Sequence, residues 1–135
     1  MDLNGAQKKL LSQLKSPFKF WLFTLMQVPA ARMGGLKMVK IDSNECTTSI
    51  PFKFLNKNPF KSIYFAVQSM AAEFSTAALA LLELKRYKES IAFIVVNIEG
   101  EFTKRLMILL ILPVKTELSI EKRSRKRLKQ EKRLR

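Results

Sequence analysis

The chain has 135 residues, enough for one domain and a tail, and 47% of them are apolar, enough for a hydrophobic core. It carries 25 Lys and Arg against 11 Asp and Glu, a formal net charge of +14, and it has no His. The lack of His excludes a Ser-His-Asp triad, a Cys-His pair and a His-ligated metal, and the single Cys46 excludes an internal disulfide. No apolar run reaches the roughly 18 residues of a membrane span, so we expect a cytoplasmic protein without a membrane partner.

Two short helices are predicted near the N-terminus. Residues 6–15 place three leucines on one face and lysines on the other, which is typical of an amphipathic helix. Ser16 and Pro17 then form an N-cap and a first helical residue, and they begin a second helix that ends before Pro29. Apolar residues almost surround this second helix. We therefore expect it to be buried on several sides, as a packing lid over a sheet rather than as a membrane anchor.

A β-hairpin is predicted next. Residues 36–41 and 47–54 have the composition and alternation of strands, and the sequence Asp-Ser-Asn-Glu at 42–45 has the chemistry of a turn. Pro51 has no amide proton to donate to a ladder, so its nitrogen should face a sheet edge or a bulge.

Residues 63–84 form the clearest helix of the chain. Small and apolar residues occur all round it, which indicates a helix enclosed by other structure. Residues 90–104 have the pattern of a long strand. A hairpin, a buried helix and a strand in this order predict an α+β domain in which an antiparallel sheet curls around one helix.

Glu73 is the only charged residue between Lys61 and Glu83, in the middle of this helix. Burying an unpaired carboxylate costs free energy, and burial raises the pKa of a carboxyl group toward the range useful for a general base. We therefore expect Glu73 to be partly buried in a functional cavity near a subunit interface. The alternative is that it faces a solvent gap or pairs with a lysine.

The loop at residues 58–62 leads directly into the same helix. The first amides of a helix have no intrahelical partners and lie at its positive end, so they can bind a phosphate or a thioester carbonyl. We expect Asn58 and Ser62 to frame the cavity that holds Glu73. An ordinary helix cap made by either side chain is the alternative.

Four stretches carry a family resemblance. They are MVKID at 38–42, NKNPFKSIYFA at 56–66, AAEFST at 71–76 and NIEGEFTK at 97–104. Together they resemble the hotdog-fold proteins, and they are most similar to a thioesterase-like subgroup usually labelled a domain of unknown function. The resemblance implies a protein that hydrolyses or binds acyl thioesters such as acyl-CoA, works as a homo-oligomer and needs no further cofactor.

The resemblance also implies roles for single residues. Glu73 matches the acidic catalytic residue that acyl-CoA thioesterases of this fold often carry on the central helix. The thioester carbonyl binds at the start of that helix. The residues expected to bind substrate are therefore Asn58, Ser62, Tyr64, Phe65 and Ala66. The usual His-Gly-Gly at this turn is replaced here by Tyr64-Phe65-Ala66.

The resemblance stops after Lys104. Residues 1–104, the expected hotdog-like domain, carry a net charge of +6, whereas the basic segment 105–135 carries +8. A permitted back-translation, with one adenine restored in the run at Lys104, reads KKAYDTINFTCENGIEHRKAVEEA. This looks like the missing strand, turn and amphipathic helix of the subgroup. We therefore expect residues 105–135 to be a non-native product of a frameshift that truncates the domain.

Three expectations follow for this segment. Residues 107–112 are apolar enough to form a strand at an empty sheet edge, residues 115–135 should pack poorly, and the chain should be prone to aggregation. The alternative is a non-enzymatic basic protein that binds nucleic acid or an anionic membrane through its C-terminal tail.

Overall fold

The computed structural model describes residues 3–87, 91, 94–95, 97, 99–102 and 104–115. Within them the helices and strands are α1 (Gly5–Lys15), α2 (Pro17–Gln27), α3 (Pro29–Gly34), β1 (Lys37–Ile41), β2 (Glu45–Pro51), α4 (Phe65–Leu84) and β3 (Leu109–Lys115), with a short 3-10 turn at Phe54–Asn56. The strands form one antiparallel sheet in the order β1-β2-β3, and α4 packs against β2 and β3. The predicted α+β class is confirmed.

The N-terminal helices have the predicted boundary signals. At the start of α1, the Asn4 side chain accepts a hydrogen bond from the Gln7 amide at 2.8 Å, and the Gln7 side chain accepts one from the Asn4 amide at 3.0 Å. Ser16 caps α2, and Pro17 is its first residue. Gly35 ends α3 with a φ of 78°, a left-handed conformation that glycine adopts without strain.

The start of α1 is tied to the end of α4. The buried Gln7 side chain donates from Nε2 to the Leu82 carbonyl at 3.0 Å. Next to it, Asn4 donates from Nδ2 to the Lys85 carbonyl at 2.9 Å. These two bonds hold residues that lie 75 and 81 positions apart in the chain.

The hairpin of β1 and β2 is confirmed. The Asp42 carboxylate accepts hydrogen bonds from the Asn44 amide at 2.7 Å and the Glu45 amide at 3.0 Å, which fixes the turn. The register shifts between Met38 and Lys40, where β1 bulges. Pro51 is the last residue of β2, so its missing amide proton does not interrupt the ladder.

The third strand is not the predicted one. None of the described residues between 90 and 104 lies in a strand. Instead β3 pairs with β2 along its full length, from Glu45 opposite Lys115 to Pro51 opposite Leu109. The expectation that the apolar run at 107–112 can fill an empty edge of the sheet is confirmed in its essentials.

The side-chain pattern of β3 suits this place. Its side chains alternate between exposed and half-buried, and the inward set of Leu110, Leu112 and Val114 packs against the core. The predicted poor packing of residues 115–135 falls, beyond Lys115, outside the described residues.

The long helix is confirmed, although it starts at Phe65, two residues later than predicted. Ala71, Ser75 and Ala78 are buried against the rest of the core, and their small size lets α4 approach β2 closely. The expectation that α4 is enclosed all round is wrong for this chain, because Leu81 and the first turn are exposed. By length and composition α4 could also cross a membrane, which corrects the expectation that no segment could. Its contacts with β2 and β3 are those of a core helix.

Helix α2 departs most from its prediction. Only Phe20 and Thr24 are buried, whereas Phe18 is 72% exposed and Met26 is 69% exposed. The expectation of burial on several sides is wrong for this chain. The reason is that α2 lies on the outside of the fold and packs against α1 and α3, so only one of its faces is covered.

Candidate functional site

The start of α4 presents unpaired backbone amides. Tyr64 precedes the helix, and its own amide donates to the Asn56 carbonyl at 2.7 Å. Its carbonyl accepts from the Val67 and Gln68 amides, and no side chain caps the helix. Among the described residues, nothing accepts a hydrogen bond from the amides of Phe65 and Ala66. Both residues are exposed, so the positive end of α4 is open to a ligand.

A groove of about 440 Å³ runs from this helix start along α4. One wall consists of four α4 residues at helical spacing, Phe65, Gln68, Ser69 and Ala72. Residues 99–102, Lys104 and Leu106 form the opposite wall, and two leucines of β3 complete it. The Phe65 and Phe102 rings meet edge to face across the groove at 5.3 Å between centroids. The groove is therefore apolar along much of its length, with charged groups from residues 99–104.

Three of the four α4 residues in the groove, namely Gln68, Ser69 and Ala72, were not predicted as site residues. Their spacing from Phe65, at three, four and seven positions, puts all four on one face of a helix. That spacing is the sequence signal that could have identified them once Phe65 had been chosen. Gln68 is held in place by a hydrogen bond from its Nε2 to the Ile63 carbonyl at 2.8 Å.

Glu73 is exposed in the single chain, and its predicted partial burial near a subunit interface stays a prediction. Position 73 lies on the side of α4 that borders the N-terminal helices, near Leu10, Leu14 and Phe23. No described residue makes a hydrogen bond or an ion pair with its carboxylate. The side chain borders two hollows. One, of about 260 Å³, we call the polar hollow because five of its seven lining residues are polar or charged, and the other is an apolar pocket of about 160 Å³.

The groove, the polar hollow and the apolar pocket are neighbours that share a few lining residues. The polar hollow shares Ser69, Ala72 and Glu99 with the groove that starts at Phe65. It shares only Glu73 with the apolar pocket. Glu73 therefore stands where the polar hollow that extends the groove meets the apolar pocket.

The apolar pocket lies between α4 and the N-terminal helices. Its lining residues, apart from Glu73, are all uncharged and apolar. They are Leu10, Leu14, Phe23, Val28, Met70, Phe74, Ala77, Ala78 and Leu81. Aromatic contacts close its floor, because Phe74 meets the Phe20 ring edge to face at 5.6 Å and the Phe23 ring at 6.5 Å. Such a pocket suits a hydrocarbon group.

Asn58 and Ser62 bond to each other. The Asn58 side chain donates to the Ser62 hydroxyl at 2.9 Å and accepts from the Phe60 and Ser62 amides at 3.0 and 3.1 Å. This network closes a tight turn in which Lys61 has a φ of 58°. Neither residue lines the groove, the polar hollow or the apolar pocket of the single chain, and their predicted place beside Glu73 in an assembled dimer stays a prediction. Their bonds shape the loop that leads into α4.

Cys46 belongs to the core. It is fully buried on β2, and burial, with a smaller contribution from the Asp42 carboxylate, raises the pKa of its thiol from 9.0 to about 11. A thiol in this state is a poor nucleophile near neutral pH. Within the part of the chain that the structure describes, no group of three or more Cys, Asp or Glu residues is placed to hold a metal ion.

Comparison with known proteins gives structural relatives only. No protein-family model matches the sequence, and no curated protein matches it. The fold is similar to that of a proposed thioesterase from Shewanella oneidensis, with a TM-score of 0.63 and 10% identity over 80% of this chain and 74% of that one. It is also similar to a protein of unknown function from Chlorobaculum tepidum, with a TM-score of 0.64 and 13% identity over 78% of this chain and 66% of that one. The chain therefore has the hotdog fold, a long helix packed against an antiparallel sheet.

Proposed function

We propose that the chain is a thioesterase-like hotdog protein that binds and hydrolyses acyl thioesters, with acyl-CoA as the substrate class. The observation that carries the proposal is the position of Glu73 between the polar hollow and the apolar pocket. A thioester substrate has the matching parts, namely a polar thioester next to a hydrocarbon chain. The apolar pocket would take the start of the acyl chain, and the groove would take the polar part.

The open start of α4 would polarise the thioester. The amides of Phe65 and Ala66 would donate hydrogen bonds to the carbonyl oxygen, and they would stabilise the negative charge that develops there in the transition state. Tyr64, which is 52% exposed beside them, would contact the polar part of the substrate. Asn58 and Ser62 would contribute by holding the loop that positions these amides.

The spacing along α4 supports a site shared between two subunits. Phe65 and Ala66 precede Glu73 by seven or eight residues, a distance of about 11 Å along the helix axis. A carbonyl bound at one helix start is therefore out of reach of the carboxylate on the same helix. The proposal accordingly includes a homo-oligomer in which Glu73 of one subunit serves the carbonyl bound by the other.

Two routes fit this arrangement. In the first, Glu73 takes a proton from water as the oxygen adds to the carbonyl carbon, and the tetrahedral intermediate expels the thiolate, which takes up a proton. In the second, the carboxylate itself attacks the carbonyl carbon and expels the thiolate, and water then hydrolyses the anhydride. Both give one carboxylic acid and one thiol.

Release of coenzyme A from a panel of acyl-CoA substrates tests the proposal. Glu73→Gln should lower kcat at least 100-fold, in line with the loss of a general base or nucleophile, and leave the melting temperature unchanged because the side chain is exposed. Glu45→Gln, on β2, is a control for the same change of charge. Equal rates for wild type and Glu73→Gln, or no hydrolysis of any substrate by either the 135-residue chain or the frame-restored one, would contradict the proposal.

A further inference from the structure

Five exposed apolar side chains form a continuous stripe along α2. Their exposed fractions range from 39% to 72%. We call this surface the α2 apolar face, and its members are Phe18 (72%), Trp21 (39%), Leu22 (42%), Leu25 (44%) and Met26 (69%). A large apolar side chain presents on the order of 200 Å² when fully accessible, so the face exposes on the order of 500 Å². Monomeric proteins rarely expose a larger contiguous apolar patch, and patches of this size mark interaction sites.

Helix α2 has apolar side chains on its outer side as well as on its inner side. At about 100° per residue, the five members of the face lie within an arc of about 140°. The inner side holds the buried Phe20, the half-buried Phe23 and the hydroxyl of Thr24, which donates to the Phe20 and Trp21 carbonyls at 3.0 Å. A surface helix normally directs its polar side chains outward and its apolar ones inward. The outward apolar arc therefore calls for a partner.

Cations flank both edges of the face. At one edge, the Arg32 guanidinium lies 5.2 Å from the centroid of the Trp21 ring. At the other edge, Lys19 follows next to Met26 on the helical projection. More widely, the helices α1, α2 and α3 contain five Lys and Arg and no Asp or Glu. The whole N-terminal helical surface thus carries one sign of charge.

Charge and area both argue against a second copy of this chain as the partner of the face. A second copy would bring two basic rims together, and the basic sequence at 116–135 would be repelled in the same way. A stable dimer buries about 800 Å² per subunit, which exceeds this face. An anionic lipid surface, in contrast, attracts each Lys or Arg near it by about 1 kcal/mol and accepts apolar side chains below the headgroups.

We propose that the α2 apolar face docks on the surface of an anionic phospholipid bilayer. The helix lies parallel to the membrane plane, the five apolar side chains enter the boundary between headgroups and acyl chains, and Lys19 and Arg32 contact lipid phosphates. Trp21, with a cation beside its ring, takes the interfacial position that tryptophan favours. The proposal replaces the expectation of no membrane partner, and it does not depend on thioester hydrolysis.

Trp21 is the only tryptophan of the chain and reports on the face directly. The full chain is mixed with vesicles of phosphatidylcholine alone or with 30% phosphatidylglycerol, and tryptophan emission and co-sedimentation are measured. We expect a blue shift, protection of Trp21 from acrylamide and co-sedimentation with the anionic vesicles only, all reduced by 0.5 M salt. Co-sedimentation without a change in Trp21 emission would mean that the basic tail binds instead, and it would overturn the proposal.

Variants separate the face from the rest of the surface. Phe18→Ser combined with Met26→Ser should weaken vesicle binding at least tenfold, with unchanged circular dichroism. Phe54→Ser, at a phenylalanine that is 78% exposed elsewhere, is the matched control and should bind as the wild type does. Equal binding by all three proteins would overturn the proposal. So would a stable dimer in solution that the double variant converts to a monomer and that fails to bind vesicles.

Discussion

The hydroxyl oxygens of Thr48 and Ser75 lie 2.7 Å apart, where the central strand β2 meets the helix α4. Both side chains are fully buried, and each hydroxyl is also within hydrogen-bond distance of the Ala71 carbonyl, at 3.2 Å from Thr48 and 2.8 Å from Ser75. The pair thus satisfies its own polar groups within the core and fixes the helix on the strand.

Removing either hydroxyl should destabilise the fold moderately. Thr48→Val keeps the shape of the side chain and loses its hydrogen bonds, so we expect the free energy of unfolding to fall by about 1 kcal/mol, and Ser75→Ala should cost about the same. The double variant should lose less than the sum, because the two residues share one bond. Urea denaturation of the four proteins measures this. Strict additivity would show that the contact contributes nothing.

Asn56 should be the most sensitive polar residue of the core. Its buried Nδ2 donates to the Gly34 and Pro51 carbonyls, both at 2.7 Å, and so joins α3 to the end of β2. Asn56→Ala leaves both carbonyls without this donor and should cost about 2 to 4 kcal/mol. Asn56→Asp should be worse, because it places a carboxylate against two carbonyls. Asn44→Ala, in the exposed turn, is the control. An Asp variant as stable as the wild type would show that the contacts are misassigned.

Adjacent residues of β3 should respond oppositely to the same substitution. Leu110 is half-buried against the core, whereas Ile111 is 54% exposed on the outer face. Leu110→Lys should therefore lower stability by about 2 kcal/mol, and Ile111→Lys should leave it nearly unchanged while reducing aggregation at this sheet edge. Thermal denaturation and light scattering distinguish the two. Similar melting temperatures for both variants would contradict the observed register.

The raised pKa of Cys46 gives a signed dependence of stability on pH. The folded chain keeps the thiol proton up to about pH 11, whereas the unfolded chain loses it from about pH 9.0. The stabilisation is therefore fully present below pH 9 and is lost as the pH rises toward 11. Between pH 8 and 10.5, wild type should lose more stability than Cys46→Ala, which has no thiol. Equal losses in the two proteins would indicate that the thiol titrates alike in both states.

We propose that residues 105–135 arise from a frameshift after Lys104. The outer face of β3 supports this, because Leu109 and Ile111 are about half exposed and Ile108 is 83% exposed, a pattern unlike an evolved surface strand. A version with one base restored should be more soluble and melt at a higher temperature. Sequencing the coding DNA around Lys104 and comparing both proteins provides the test. A 135-residue chain as soluble and heat-stable as the restored one would contradict the proposal.

Local signals predicted much of this fold. Ser16 and Pro17 fixed the start of α2, the turn after Ile41 fixed the hairpin, and the long apolar stretch fixed α4 to within two residues. The third strand could not be predicted, because two stretches of the chain compete for the same edge of β2. The stretches at 90–104 and 109–115 both suit a strand, and only their fit against β2 decides between them.

The candidate site shows the same division. Phe65 could be placed at the helix start from the sequence, and the structure puts it in the groove. The exposure of Glu73 in the single chain was one of two alternatives, and the sequence could not decide between them, because an apolar sequence on all sides of a helix does not say which side meets the sheet. The hydrogen bond between the Asn58 and Ser62 side chains could not be predicted either. The sequence does not show whether such side chains cap a helix, bind a ligand or bond to each other, because all three roles use the same polar atoms.

The hydrogen bonds from Asn4 to the Lys85 carbonyl and from Gln7 to the Leu82 carbonyl have a consequence for folding during synthesis on the ribosome. The helices α1 to α3, the hairpin of β1 and β2, and α4 all lie before residue 87. Once residue 87 has left the exit tunnel, these elements can pack together, and the two hydrogen bonds can form. At that stage, only the edge of β2 that later pairs with β3 lacks a neighbouring strand. The three N-terminal helices, the hairpin and α4 can therefore assemble without any residue after position 87, and only the third strand of the sheet depends on the sequence that follows.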